Sequence, residues 1–421
     1  MSASACSSVP APGLPDPSAG APAGGSKIRR LVLALSPIAF GLVPALSAST
    51  YNESAPIFTE LGSPVSVPTQ ISGHAMFVDV LVNGRGPFHM FVDTGCSVTL
   101  VSPELAEAVG AIVPEADEDP AYGRNGFGDL AGIQRVQLES IDLGGAHFAG
   151  ITAGVAPGFS KITQVIGQRV DGTLGFPLFA NLFLALDFPH HRILLSHNWP
   201  AGLPPVRAEL PVDEQSNVPF VQVRVQGRTV PVLIDTGSNG DMSLPTALGR
   251  AMRWEDEPRP GALVAVVGEV GREQIGRLAG NLRLDQVRQP EPTASVSSGP
   301  ASIGLRLLEN FCVVFHESEH RMWLCSANGE PIRAPTEYSV GLSLLPSPAG
   351  WRIAGIIPGS PAEEARLNPG ALITEIEGRP AQTWTRDQIQ DWIDSHTAVA
   401  LAVSDRTGRR DLSLRVWSLV P

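Results

Sequence analysis

The sequence runs to 421 residues, 43% hydrophobic and 17% charged, with 43 Gly and 38 Pro, which suits two or three domains with substantial cores. A formal charge of −12 and the lack of any basic run exclude general nucleic-acid binding, because nothing is placed to neutralise a phosphate backbone. Peptide ligands stay open.

Residues 1–26 are almost wholly Ser, Ala, Pro and Gly, too poor in large apolar groups to offset the entropy of ordering, and are read as a disordered leader. In residues 27–48, Lys27, Arg29 and Arg30 precede an apolar run ending in small residues, the layout of an export signal with cleavage near Ser47 or Ser49. An uncleaved membrane anchor is the alternative, although Pro37 and Pro44 interrupt a run barely long enough to span. Export is therefore expected.

The next region repeats itself. "FVDVLVNGR" (77–85) and "FVQVRVQGR" (220–228) share the period-two alternation of a strand followed by a Gly turn. Each leads into a second apolar strand that ends on an aspartate, giving Asp93-Thr94-Gly95 and Asp235-Thr236-Gly237. Ten residues after each aspartate, Pro103 and Pro245 begin short helical stretches. Further on, "TLGFPLFANLFLALDFPHHRILL" (173–195) answers "SIGLRLLENFCVVFHESEHRMWL" (302–324), so the chain contains a duplicated, strand-rich unit. One Asp-Thr-Gly alone would be ordinary turn chemistry; two at equivalent places in related units call for a joint role.

If the units pack about a pseudo-twofold axis, Asp93 and Asp235 meet. Adjacent carboxylates cannot both ionise cheaply, so they share a proton and supply an acid and a base together. Such a pair activates a water and polarises a carbonyl without a covalent intermediate. Gly95 and Gly237 allow a tight turn with amides aimed at the carboxylates, and the hydroxyls of Thr94 and Thr236 can bond across the interface.

On these residues the chain resembles aspartic peptidases of the retropepsin and pepsin type, and more closely exported bacterial retropepsin-like proteins with both lobes in one polypeptide. The resemblance spans roughly 65–328 and includes the later segments Thr173-Leu174-Gly175 and Ser302-Ile303-Gly304, which in the family back the catalytic loop. It implies a mainly β fold of two pseudo-twofold-related acid-protease β-barrel lobes, 65–200 and 209–328, joined by "WPAGLPPVRAEL". It implies Asp93 and Asp235 as the catalytic dyad, supported by Thr94, Gly95, Thr236, Gly237 and Ser238, and endopeptidase activity in a bacterial periplasm or on a membrane facing it. Two positions depart from the family: Cys96 follows the first Gly, and Asn239-Gly240 stand in the second loop, leaving that loop's support an open question. A flap is expected at 122–134, with Gly126, Phe127 and Gly128 at its tip and 267–277 as its counterpart. A non-catalytic peptide-binding adaptor on the same scaffold is the rival reading.

Cys312 and Cys325 stand opposite each other on a hairpin about Glu317 to His320, where either a disulfide or two buried thiols would fit. His190, His191, His316 and His320 fall in equivalent hairpin turns without zinc spacing, so neither a metal nor a cofactor is expected.

Residues 336–421 resemble a small α+β bacterial PDZ domain through "GSPA", "NPG" and "ITEIEG". The resemblance implies an extended or C-terminal peptide added beside a sheet edge, held at the loop Ser339, Val340, Gly341 and Leu342; a packing role for that loop is the alternative. Two helices are expected there, one opening at "GSPAEEARL" and one across "TRDQIQDWI", where Ile389 and Ile393 share a face.

Overall fold

The computed structural model describes residues 58–421 apart from 73–74, 114–120, 126–127, 167, 216, 267–268, 298 and 330. The leader and the export segment lie outside the described residues. Among the described residues no helix is long and apolar enough to cross a membrane.

Alternation along the chain produces the two opening hairpins. In Ala75–Val82, Val78, Val80 and Val82 are buried while Asp79 and Leu81 face solvent; Val218–Val225 repeats this with Val221, Val223 and Val225 inward and Gln222 and Arg224 outward. The turns to the next strands, Arg85–Asp93 and Arg228–Ile234, hold positive φ at both central residues: 49° and 68° at Asn83-Gly84, 50° and 78° at Gln226-Gly227. That backbone matches the right-handed twist of the flanking strands. Each second strand then pairs in parallel with a later one, Met90–Asp93 with Gly172–Gly175 and Leu233–Ile234 with Ser302–Ile303. The result is a nine-stranded sheet in lobe one and a ten-stranded sheet in lobe two.

The predicted helices follow. Pro103–Val109 starts on Ser102, whose Oγ accepts from the Leu105 amide at 3.1 Å; Thr246–Ala251 starts directly after Pro245.

A six-stranded antiparallel sheet joins the lobes, ordered Val206–Pro211, Arg321–Cys325, Cys312–His316, Phe183–Asp187, Arg192–Ser196, Val65–Pro68. At its centre Ala185 pairs with Val314, its own counterpart in the repeat, so the pseudo-twofold axis passes between these two residues. One apolar core runs through both lobes, with Leu184, Leu186, Val313 and Phe315 contributing from this sheet.

The turns carrying the histidines are structural. His191 and His320 end equivalent turns in the left-handed region, with φ of 50° and 52°, and buried Asp187 accepts from Arg192 and contacts His190, each at 2.8 Å. Beside them, of the two arrangements open for the cysteines, the structure has the buried thiols: Cys312 and Cys325 are opposed in register and stand free. Directly opposite side chains on antiparallel strands lie about 4.5–5.5 Å apart at Cβ, against about 3.8 Å for a disulfide. Both pack instead as small apolar groups among Phe183, Ala185, Val314 and Trp323, and burial pushes the Cys325 thiol up to about 11.

The C-terminal domain has its own core of Trp351, Ile353, Ile373, Ile389, Ile393 and Leu401. Its helices are Pro361–Glu364, capped by Ser360, and Arg386–Ser395, opened by a capping box between Thr385 and Gln388. Strand Leu342–Ser347 is an edge of its main sheet and packs against helix Phe159–Ile166 of lobe one and strand Arg259–Val266 of lobe two. The Leu263 amide donates to Ser343 Oγ at 2.9 Å, Arg272 donates to the Ile356 carbonyl at 3.0 Å, and the Leu263 side chain lies over Gly355. Glu337, on strand Glu337–Ser339, pairs with Arg306 of lobe two.

Candidate active site

Both Asp-Thr-Gly turns sit where a strand leaves its sheet beside the lobe interface, and they interlock. The Thr94 amide donates to Thr236 Oγ1 at 3.0 Å and the Thr236 amide to Thr94 Oγ1 at 3.1 Å. Each hydroxyl donates onward across the interface, Thr94 to the Ile234 carbonyl at 2.6 Å and Thr236 to the Val92 carbonyl at 2.7 Å. Both threonines are wholly buried, so this lattice fixes one turn against the other without competition from water.

Within each turn the Gly amide donates to its own aspartate, Gly95 to Asp93 Oδ1 and Gly237 to Asp235 Oδ1, both at 2.9 Å. The turns close through the Cys96 amide on the Asp93 carbonyl and the Ser238 amide on the Asp235 carbonyl, each at 3.2 Å. The glycines also face the opposing carboxylates. A Cβ on Gly95 would lie 2.5 Å from Asp235 Oδ1, and one on Gly237 would lie 2.6 Å from Asp93 Oδ2. A side chain at either place would force the opposing carboxylate to move, and the near equality of the two distances expresses the pseudo-twofold.

The carboxylates keep partial solvent access while protein atoms crowd them on most sides. Burial raises the pKa of Asp93 well above the usual carboxylate range, and the charge of Asp235 raises it further, against the pull of the Gly95 and Cys96 amides. Burial raises Asp235 as well, but the Gly237 amide and a hydrogen bond from Asp93 favour its ionised form. The two titrate as a pair that shares one proton.

The turns differ in their surroundings. Cys96 Sγ donates to the Val98 carbonyl at 3.0 Å, and burial followed by the Asp93 charge pushes its pKa up, so the thiol stays neutral. Cys96 and Val98 pack beside Phe77, Phe91, Leu100, Ile133 and Phe159. In lobe two, the Leu305 amide donates to the Ser238 carbonyl at 2.7 Å and the Gly304 amide to the Asp241 carbonyl at 3.1 Å. Helix Leu305–Leu308 therefore answers the question that Asn239-Gly240 raised about that loop's support.

Of the expected flap, strands Ala121–Asn125 and Gly128–Leu143 pair as a hairpin, with Asn125 opposite Gly128. Gly126 and Phe127 lie outside the described residues. The lobe-two counterpart pairs Arg259–Val266 with Glu269–Arg277. A cavity of about 50 Å³ near Asp256, Ile275 and Leu419 lies apart from the dyad and holds none of the predicted site residues.

Residues 78–178 match the family model described as aspartyl protease, and residues 332–404 match that described as PDZ domain. The chain carries an aspartyl protease domain and a PDZ domain. No curated protein matches the sequence. Among solved structures, basic 7S globulin from soybean is similar at 14% identity and a TM-score of 0.38, covering 64% of this chain and 97% of that one.

In the PDZ domain the predicted loop divides its tasks. Val340 is buried in the domain core and its carbonyl accepts from the Ala362 amide at 3.1 Å; the Gly341 carbonyl accepts from Ile357 at 2.9 Å. The Gly341 amide donates to Ser339 Oγ at 2.9 Å, and Leu342 begins the edge strand. Sequence reasoning missed Arg386, which donates from helix Arg386–Ser395 to the Leu344 carbonyl of that strand at 2.9 Å. Nothing in the local sequence signals that contact, because it joins two segments 42 residues apart.

Proposed function

We propose that this protein is an exported, retropepsin-like aspartic endopeptidase whose PDZ groove takes an extended or C-terminal peptide segment of its protein substrates. The observation that carries the reading is the reciprocal seating of each Asp-Thr-Gly glycine against the other lobe's carboxylate, locked by the threonine lattice. An arrangement that leaves no room for a side chain between two carboxylates suits a shared proton and an attacking water better than it suits a structural turn.

Asp235, ionised, takes a proton from a water held between the carboxylates, and the water oxygen bonds to the scissile carbonyl carbon. Asp93 gives its proton to the carbonyl oxygen as the tetrahedral diol forms. Collapse of the diol breaks the C–N bond, with the proton gained by Asp235 passing to the leaving amine and a diol proton returning to Asp93. Lys27, Arg29, Arg30 and the apolar run after them support export to the periplasm.

The test is incubation of the purified protein with an unfolded protein substrate from acidic to neutral pH. Pepstatin-sensitive cutting is expected, and it should vanish in Asp93→Asn and Asp235→Asn. Peptide binding without cutting would replace the peptidase with the adaptor reading. Fractionation of cells expressing a tagged chain checks export, which a wholly cytosolic pool would overturn.

A further inference from the structure

Among the described residues, the second catalytic turn is backed by charged side chains at positions that are uncharged behind the first. In lobe two, Asp241, Arg306 and Glu309 stand around helix Leu305–Leu308; in lobe one the strand register sets Val98 where Asp241 stands, and the repeat sets Pro177 and Ala180 where Arg306 and Glu309 stand. Both lobes make the same backbone bond into the turn, Phe176 to the Cys96 carbonyl at 3.0 Å and Leu305 to the Ser238 carbonyl at 2.7 Å. They differ at the next bond. The Gly175 amide rests on the Thr99 hydroxyl at 3.3 Å, whereas the Gly304 amide rests on the Asp241 main-chain carbonyl at 3.1 Å.

Asp241 is 2% exposed and spends Oδ2 on the Gln289 side chain at 3.2 Å and the Thr293 amide at 3.3 Å. Its neighbour Arg306 is mostly buried and makes its direct ion pair with Glu337, a residue of the PDZ domain. The PDZ domain thus supplies the carboxylate that a lobe-two cation uses immediately behind the catalytic turn.

We infer that Glu337 is a positioning residue for the catalytic turn of Asp235: it holds Arg306 away from Asp241, so that Asp241 keeps its bonds to Gln289 and Thr293 and its carbonyl keeps Gly304 in place. Without Glu337, the largely buried guanidinium is left with the charges of Asp241 and Glu309, and an uncompensated buried cation is costly enough to draw a neighbouring carboxylate toward it. Electrostatics agree: after burial, which raises the Asp241 pKa, the largest influence on that group is Arg306, which lowers it, and Glu337 opposes Arg306. Drawing Asp241 toward Arg306 shifts the segment that ends the Ser238–Asp241 loop, and with it Asp235. Lobe one needs no such arrangement because Pro177 brings no charge.

The inference rests on the peptidase reading, and the experiment separates the two. Full-length wild type, Glu337→Ala, Arg306→Leu and the double variant are compared for kcat and KM on one peptide substrate and for pepstatin affinity, with thermal melts to establish folding. Glu337→Ala is expected to lower kcat about tenfold with little change in KM, because it displaces a catalytic group without touching substrate. Arg306→Leu in that background is expected to restore most of the loss, since it removes the stranded cation as lobe one does. A merely structural role for the pair predicts the opposite, a double variant no better than Glu337→Ala. That result, or an unchanged kcat in Glu337→Ala, overturns the inference alone. A wild type that neither cuts nor binds pepstatin removes the peptidase reading, and the inference falls with it.

Discussion

The two lobes carry the same turn and support it differently. Lobe one surrounds Cys96 and Val98 with its own apolar side chains, Phe77, Phe91, Leu100 and Phe159 among them. Lobe two backs Ser238 to Asp241 with a short helix bearing Arg306, and that arginine is completed by the PDZ domain. The hairpins diverge in the same way. That of lobe one rests through Ile133 on the lobe's own apolar cluster, while that of lobe two is bonded to the PDZ domain through Leu263 and Arg272. Duplication has kept the atoms nearest the carboxylates equal and let everything behind them specialise, so symmetry here is a property of the dyad and not of its scaffold.

The sharpest test of that symmetry is removal of one carboxylate at a time. Asp93→Asn and Asp235→Asn should each lower kcat by about a thousandfold or more, since each removes one half of an acid–base pair. Stability should move the other way. A carboxyl group whose pKa is raised on folding binds its proton more tightly in the native state, so its stabilising contribution is full below the unfolded pKa and is lost as pH climbs through the folded value. Asp93 is raised by burial and then by Asp235. Asn carries no such liability, so the Asp93→Asn variant should gain on wild type between acidic pH and pH 8, by about 1.4 kcal/mol for each unit of the upward shift. Urea midpoints at pH 4 and pH 8 measure this, and parallel curves for the two proteins would contradict a buried, proton-sharing Asp93.

A smaller change asks whether the turns are equivalent. Gly95→Ala places a methyl 2.5 Å from Asp235 Oδ1, and Gly237→Ala places one 2.6 Å from Asp93 Oδ2. Either must push the opposing carboxylate aside. A shift of about 1 Å in a reacting group costs roughly a hundredfold in rate, so both variants should lose about that much kcat, and by similar factors. Full activity in one and loss in the other would show that a single lobe positions the pair.

Much of this site is legible in the sequence, and the reason is local. The strands before Asp93 and Asp235, the Gly turns, and the Thr94 and Thr236 hydroxyls all lie within a few residues of each other, where periodicity and turn chemistry speak directly. The register of Cys312 against Cys325 was readable for the same reason, whereas their failure to bridge depends on a spacing between side chains that register does not carry. The roles of Glu337, Arg272 and Arg386 were not legible. Each acts through one side chain reaching a segment distant in sequence, and such contacts leave no periodic trace. The burial of the Val340 side chain in the PDZ core was not legible either, since a hydrophobic residue in a loop motif gives no sign of which way it turns.

The mildest expected effect separates the two hairpins by their dynamics. Arg272 donates to the Gly261 carbonyl within its own hairpin and to the Ile356 carbonyl of the PDZ domain, so it staples Arg259–Arg277 to a second domain. Among the described residues, Ile133 seats the other hairpin, Ala121–Leu143, in lobe one's own apolar cluster. Arg272→Ala removes hydrogen bonds worth roughly 1 kcal/mol in net terms, which corresponds to about fivefold faster local opening of the lobe-two hairpin. Amide exchange followed by mass spectrometry should therefore quicken in peptides covering residues 259–277 and stay unchanged in those covering residues 121–143. If exchange rises equally in both, the hairpins open as one unit, and the PDZ domain restrains the pair through the lobes instead of through Arg272.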